Sequence, residues 1–161
     1  MKNLRPAILL IVIFTLAHPF AISAQTSSTK TNVAIIQGMY GDFATANVPG
    51  VLAVLDAKVE WNEAESFIYG DNKPLIGPDA VVNGVFAKIG GEWDGFTITN
   101  LQIYNMDNGM VLATGRYQAK YKKNGAAIDA QMAHLWTLKD GKVIRFQQFT
   151  DTKQFADAVK K

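Results

Sequence analysis

Two short stretches carry the residue types that could do chemistry. In "VEWNEAE" Glu63 follows Trp61 by two residues, and in "AHLWTLKDGKVIRFQQFTDT" His134 precedes Trp136 by two. Residues two apart on a strand share a face, so each ionisable group would have an indole beside it. A carboxylate against an indole in an apolar cavity has its charged form disfavoured, which raises its pKa towards the range useful for proton transfer. Glu63 is therefore the candidate base. The other reading places Glu63 and Glu65 in a solvated loop leading to Gly70, and the sequence leaves both open. An imidazole at His134 suits orienting a carbonyl or shuttling a proton near pH 7. A lone histidine sharing a face with Met132 and Trp136 is more often a satisfied core residue than a catalyst.

Other groups invite a chemical label and have a structural reading. Asp151 opens "DTKQ", where Gln154 three residues on makes it the N-cap of a capping box for a last helix. Arg116 shares its strand phase with Thr114, Gln118 and Lys120, which assigns it to an outward face or an interface. Tyr40 lies on the apolar stripe of the first helix, where its hydroxyl serves either a ligand or the core. Phe86 and Trp93, on or just after a third helix, would wall a cavity or fill it.

Whole chemistries drop out on composition. The 161 residues contain no cysteine and only His18 and His134, so a zinc site built from several His and Cys is not expected. A Ser-His-Asp relay would have to recruit Ser27, Ser28 or Ser66, none of them on a nucleophile elbow. No metal and no cofactor is expected. Lys2 and Arg5 precede an apolar run from Ala7 to Ala17 and small residues at Ala21, Ser23 and Ala24, the layout of a secretory signal peptide. The expectation is a leader over 1–24 cleaved near Ala24, a flexible start over 25–30, and one domain over 31–161, exported to the periplasm or the medium without a membrane anchor. Cleavage would remove two of the 16 basic residues and none of the 14 acidic ones, leaving a formally neutral chain. That balance lacks the basic footprint of a nucleic-acid binder, and "KYKK" beside "NG" reads as a solvated hairpin tip.

The elements that must position these groups follow from periodicity. Val33, Ile36, Tyr40 and Phe43 recur at helical spacing. Asn47 reads as the N-cap of a short second helix ending near Asp56, with Pro49 in its first turn. "AKVEW" alternates as a strand, and Pro78 suits the first position of a third helix. After Gly95, turn signals at "DNG", "NG" and "KDGK" divide four runs rich in Val, Ile, Thr, Phe and Tyr. Helices first and a meander afterwards predict an α+β domain: a cone-shaped, curved antiparallel sheet wrapped around about three N-terminal helices, with a short C-terminal helix. The mouth of such a cone is a small-molecule site.

"YGDFATANVPGVLAVL", "VEWNEAE", "GPDAVVNGVFAKIGGEWDGF" and "AHLWTLKDGKVIRFQQFTDT" resemble the SnoaL-like, ketosteroid isomerase-related branch of the nuclear transport factor 2 superfamily, from about Val33 to Val159. The resemblance implies the cone fold and a homodimer through the outer sheet face. In the polyketide cyclases of that branch a histidine on the penultimate strand and an aspartate on the last face the pocket, and the aspartate is the base. His134 matches the first, and Gln148, an amide, stands at the second. Where ketosteroid isomerase has its base this chain has Trp61, and Tyr40 is a counterpart of its helix-borne tyrosine one residue out of register. The site expected is thus Glu63 and His134 as catalytic groups, with Tyr40, Trp61, Phe86, Trp93, Trp136 and Gln148 binding the ligand. The functions expected are a cofactor-independent isomerase, cyclase or lyase-like enzyme acting on a small apolar or carbonyl-containing ligand, or a binding protein that holds such a ligand without turnover.

Overall fold

The structure is a computed structural model that describes residues 23–160, with side chains described from Asn32 onward. The leader expected over 1–24 falls, but for its last two residues, outside the described residues. In chain order the elements are α1 (Ser23–Ala44), α2 (Val48–Ala53), β1 (Leu55–Asn62), β2 (Leu75–Ile76), α3 (Pro78–Val81), a π-helical turn (Val82–Phe86), α4 (Ala87–Glu92), β3 (Trp93–Asn105), β4 (Met110–Tyr121), β5 (Ala127–Lys139), β6 (Lys142–Thr150) and α5 (Thr152–Lys160).

Local signals explain most boundaries. Asn47 accepts the Gly50 N–H at 3.3 Å as the N-cap of α2. That helix stops at Ala53 rather than near Asp56, because Leu55 already pairs with Val143 and the Val54 carbonyl accepts the Val143 N–H at 2.9 Å. Asp151 accepts the Gln154 N–H at 3.4 Å as the N-cap of α5, but the expected capping box is not closed: the Gln154 amide donates to the Asp151 carboxylate at 3.0 Å, and the Asp151 N–H goes to the Gln131 carbonyl.

The six strands form one sheet in the order β2-β1-β6-β5-β4-β3. All pairings are antiparallel except β1 with β6, which is parallel and brings the ends of Trp61 and Phe146 level. Irregularities in register bend the long strands. Between β5 and β6, Thr137 pairs with Arg145 and Leu138 with Val143, so Ile144 of β6 is the extra residue of a bulge. Beyond it the alternation changes phase, and Phe146 and Gln148 join Val143 as buried residues. Where β4 crosses β3 and β5, a Cβ on Gly115 would lie 2.9 Å from the Thr99 carbonyl, so only glycine permits that approach.

The sheet's inner face packs in two clusters. One joins Ile36, Met39 and Tyr40 of α1 to Val59, Trp61, Trp136 and Phe146. The other gathers Phe67, Trp93, Tyr117, Met132 and Phe155 at the end covered by α5. Phe155 is fully buried, with ring centroids of Phe67, Trp93 and Tyr117 at 4.9, 5.5 and 5.9 Å. Phe155→Ala is expected to cost about 3–5 kcal/mol through the cavity it leaves, read as a lower urea midpoint at unchanged slope. Arg116 points outward as expected, paired with Asp129 at 2.6 Å.

Candidate functional site

The inner face of the sheet and the helices enclose an apolar chamber of about 50 Å³. Seven of the eight expected residues line it: Tyr40, Trp61, Glu63, Phe86, His134, Trp136 and Gln148. Trp93 does not. It lines a second, outer compartment, and its indole N–H donates to the Tyr69 hydroxyl at 2.7 Å.

Glu63 lies just past β1, and strand phase carries its side chain to the face of Trp61. The Trp61 indole N–H donates to Glu63 Oε1 at 2.6 Å. The other carboxyl oxygen, Oε2, is buried and has no hydrogen-bond partner among the described residues. Burial raises the Glu63 pKa from 4.5 to about 7, partly offset by the indole bond, which favours the anion. Both sequence readings of Glu63 hold a part of the truth. The residue is half-buried, and its far side borders a polar surface groove with Ser66, Asn72 and Lys73.

Facing the chamber is a chain of hydrogen bonds built on His134. The Trp136 N–H donates to the Tyr40 hydroxyl at 3.1 Å, which meets His134 Nδ1 at 2.7 Å. His134 Nε2 meets the Tyr117 hydroxyl, which also accepts from Gln148 Nε2 at 3.2 Å. The Ala64 N–H donates to Gln148 Oε1 at 3.2 Å and so fixes which end of that amide faces Tyr117. His134 is buried between two phenols, and desolvation lowers its pKa from 6.5 to about 3. Of the two readings of His134 the structure matches the satisfied, buried histidine and not an imidazole that shuttles protons near pH 7. Its ring stays neutral, and both nitrogens are occupied.

A proton count gives this chain its chemical meaning. A neutral imidazole donates at one nitrogen and accepts at the other. The two bonds between His134 and the tyrosines therefore consume the imidazole proton and one phenol proton, and the second phenol proton is left over. With Nε2 protonated, Tyr117 receives bonds from His134 and Gln148, and its own O–H is free for the chamber. With Nδ1 protonated, the free O–H belongs to Tyr40. Both phenols line the chamber, and burial raises both pKa values, so each keeps its proton. The Glu63 charge adds to the rise at Tyr117, which marks Tyr117 as the phenol nearer the carboxylate in effect.

Tyr117, Phe43 and Phe96 belong to the site and were not singled out in the sequence. Tyr117 had a readable signal: it is out of phase with Arg116, and an outward Arg116 obliges an inward Tyr117. Phe43 and Phe96 carried only the apolar pattern of core residues.

A cone of curved sheet closed by helices over a polar-tipped apolar chamber defines a class of small-molecule domains. Residues 36–146 match the SnoaL-like domain model, and the chain belongs to that family. Its fold is that of an NTF2-like protein from Burkholderia thailandensis, with 29% identity, a TM-score of 0.73, and coverage of 80% of this chain and 96% of the other. An NTF2-like protein of unknown function from Burkholderia pseudomallei gives 19% identity, TM-score 0.73, and coverage of 81% and 98%. TerC, co-crystallised with polyporic acid, gives 21% identity, TM-score 0.71, and coverage of 81% and 99%. Comparison with curated proteins finds no match.

Proposed function

We propose that the chamber binds the oxygen of a small carbonyl compound and that Glu63 moves a proton at the adjacent carbon. The observation that carries this reading is the buried, unpartnered Glu63 Oε2 in a chamber that also receives a spare phenol proton. The carboxylate removes a proton from the α-carbon, the C–H electron pair becomes a C=C bond, and charge develops on the carbonyl oxygen. The free phenol O–H donates to that oxygen, where charge is forming. Glu63, now protonated, returns its proton to a carbon of the same system, so the reaction needs no oxidant and no added group. His134 is a positioning residue in this scheme. It and Gln148 hold Tyr117, while Trp136 and His134 hold Tyr40.

The test uses 2-butanone in D2O and follows its α-proton signals by NMR. Enzyme-dependent loss of those signals at neutral pD supports the reading, and no acceleration over buffer sinks it. A binding protein without turnover is the second reading, favoured by an outer compartment lined by Phe43, Val51, Phe86, Ile89, Trp93 and Phe96 with no ionisable group in it. Retained ketone without exchange would select it.

Two further proposals concern the setting of the domain. The outer face of the sheet exposes Phe149 (54%) and Tyr104 (46%), which supports a homodimer through that face. Phe149→Lys is expected to convert a dimer to a monomer in native mass spectrometry. Export after cleavage near Ala24 is proposed from the leader pattern, and among the described residues no helix is long and apolar enough to cross a membrane.

A further inference from the structure

The chamber does not stand alone. A second compartment of about 230 Å³ lies between α2, α4 and the start of β3. It shares Phe43, Val51, Phe86, Ile89 and Phe96 with the chamber, so these five side chains form the partition between the two. Phe43 is central to it, with the rings of Phe86 and Phe96 each 6.4 Å away. Phe86 ends the π-helical turn Val82–Phe86, a break in helical phase of the kind found at functional sites.

Size divides the two compartments chemically. A cavity of about 150 Å³ accommodates benzene, and a water needs roughly 10–15 Å³. At about 50 Å³ the chamber takes a group of a few heavy atoms and no ring. At about 230 Å³ the outer compartment takes a ring or an alkyl chain, and its lining carries no charged or hydroxyl side chain. The polar groups of the site all stand on the chamber side.

We infer that the ligand is a head-and-tail molecule: a short carbonyl end that enters the chamber, and a larger apolar body that stays in the outer compartment behind the Phe43, Phe86 and Phe96 partition. This rests on the reading of the chamber as the oxygen-binding end and adds the shape of the molecule. A compact polycycle buried whole against Glu63 does not fit the volumes. Methyl ketones with a long alkyl or aryl substituent do.

The experiment measures dissociation constants by NMR titration for 2-butanone, 2-hexanone, 2-octanone and 2-decanone, on the wild-type protein and two glycine variants. Each methylene that enters an apolar site adds about 0.8 kcal/mol, so affinity should rise about three- to fourfold per added carbon until the outer compartment is full. Gly90 lines that compartment, and a Cβ built there meets nothing within 4 Å. Leucine at that position fits a helix better than glycine does, and the Lys122 Nζ bond to the Gly90 carbonyl at 2.7 Å uses only backbone. Gly90→Leu should therefore weaken 2-decanone at least tenfold and leave 2-butanone within twofold. Gly91, equally open but outside both compartments, supplies the control: Gly91→Leu should change neither.

A flat dependence on chain length overturns the inference, and so does a Gly90→Leu protein that loses both ketones alike or neither. Each of those results leaves the α-proton exchange of 2-butanone standing. Conversely, absent exchange together with a rising affinity series would remove the proton-transfer reading and keep the two-compartment site.

Discussion

Glu63→Gln is expected to slow α-proton exchange of 2-butanone by about a hundred- to ten-thousandfold, the usual range for loss of a general base. The amide keeps the acceptor oxygen that Trp61 needs, so the chamber retains its shape and ketone affinity should stay within a few-fold. A fall in rate without a fall in binding is the signature of a group that acts on the reacting proton. The pH profile of the wild-type protein should report the same group. Only the carboxylate removes a proton, and burial has moved its pKa to about 7, so the rate should climb with pH through that value and level off above it. A profile still falling below pH 5 with no inflection near 7 would assign the base elsewhere.

The same substitution has an opposite effect on stability. Between pH 4.5 and about 7 the folded protein keeps a proton on Glu63 that the unfolded chain gives up, so its contribution is complete below pH 4.5 and is lost as pH rises towards 7. That loss amounts to about 3 kcal/mol. His134 runs the other way. Its folded pKa is depressed from 6.5 to about 3, so its contribution is complete above pH 6.5 and is lost as pH falls towards 3. The two windows overlap and oppose, which predicts a wild-type stability nearly flat from about pH 4.5 to 6.5. Glu63→Gln removes only one of them. At pH 8 the variant should be about 2 kcal/mol more stable than wild type, after about 1 kcal/mol for its unpaired amide hydrogens, and at pH 4.5 that same penalty should leave it about 1 kcal/mol less stable, so the two curves cross in between. Unfolding midpoints across that range decide it. A variant less stable at pH 8 would mean that the carboxylate is not desolvated. A variant more stable at pH 8 would mean that the candidate base is held at a cost to the fold, the pattern of a site kept for function.

The fold was legible because its signals are local. Asn47, Pro78 and the Asp151 N-cap mark helix starts within a few residues of chain, and the turn pairs at Asn108, Asn124 and Asp140 separate the strands. What stayed hidden depends on partners distant in sequence. The end of α2 was set by Val143, on a strand about ninety residues later, and the β6 bulge at Ile144 changed which residues face inward. At the site, strand phase tied Glu63 to Trp61 and His134 to Trp136 correctly. Phase alone carries no dielectric, so it did not show that His134 would be buried between two phenols and kept from titrating. Nor could it divide the apolar lining into two compartments. Trp93 was placed with the other aromatics because nothing local distinguishes it from Trp136, and only the helix packing puts it on the outer side.

Tyr117→Phe is expected to reduce the exchange rate by about a hundred- to thousandfold, the loss found when one donor to a developing oxyanion is removed. The proton count makes this sharper than a general claim about the pocket, because only one of two phenols has an O–H to spare. If His134 carries its proton on Nε2, that phenol is Tyr117, and Tyr40→Phe leaves the donor in place. Tyr40→Phe should then lower the rate about tenfold at most, while lowering stability because Trp136 Nε1 and His134 Nδ1 lose their shared partner. If the proton sits on Nδ1 the ranking reverses, and Tyr40→Phe becomes the severe variant. The ¹⁵N shifts of the His134 ring identify the tautomer independently of the kinetics. Agreement between the protonated nitrogen and the more damaging substitution would establish the relay as the source of the donor. Equal, small losses from both variants would mean that neither phenol stabilises charge on the carbonyl oxygen, and the chamber would then be left with a base and no partner for it.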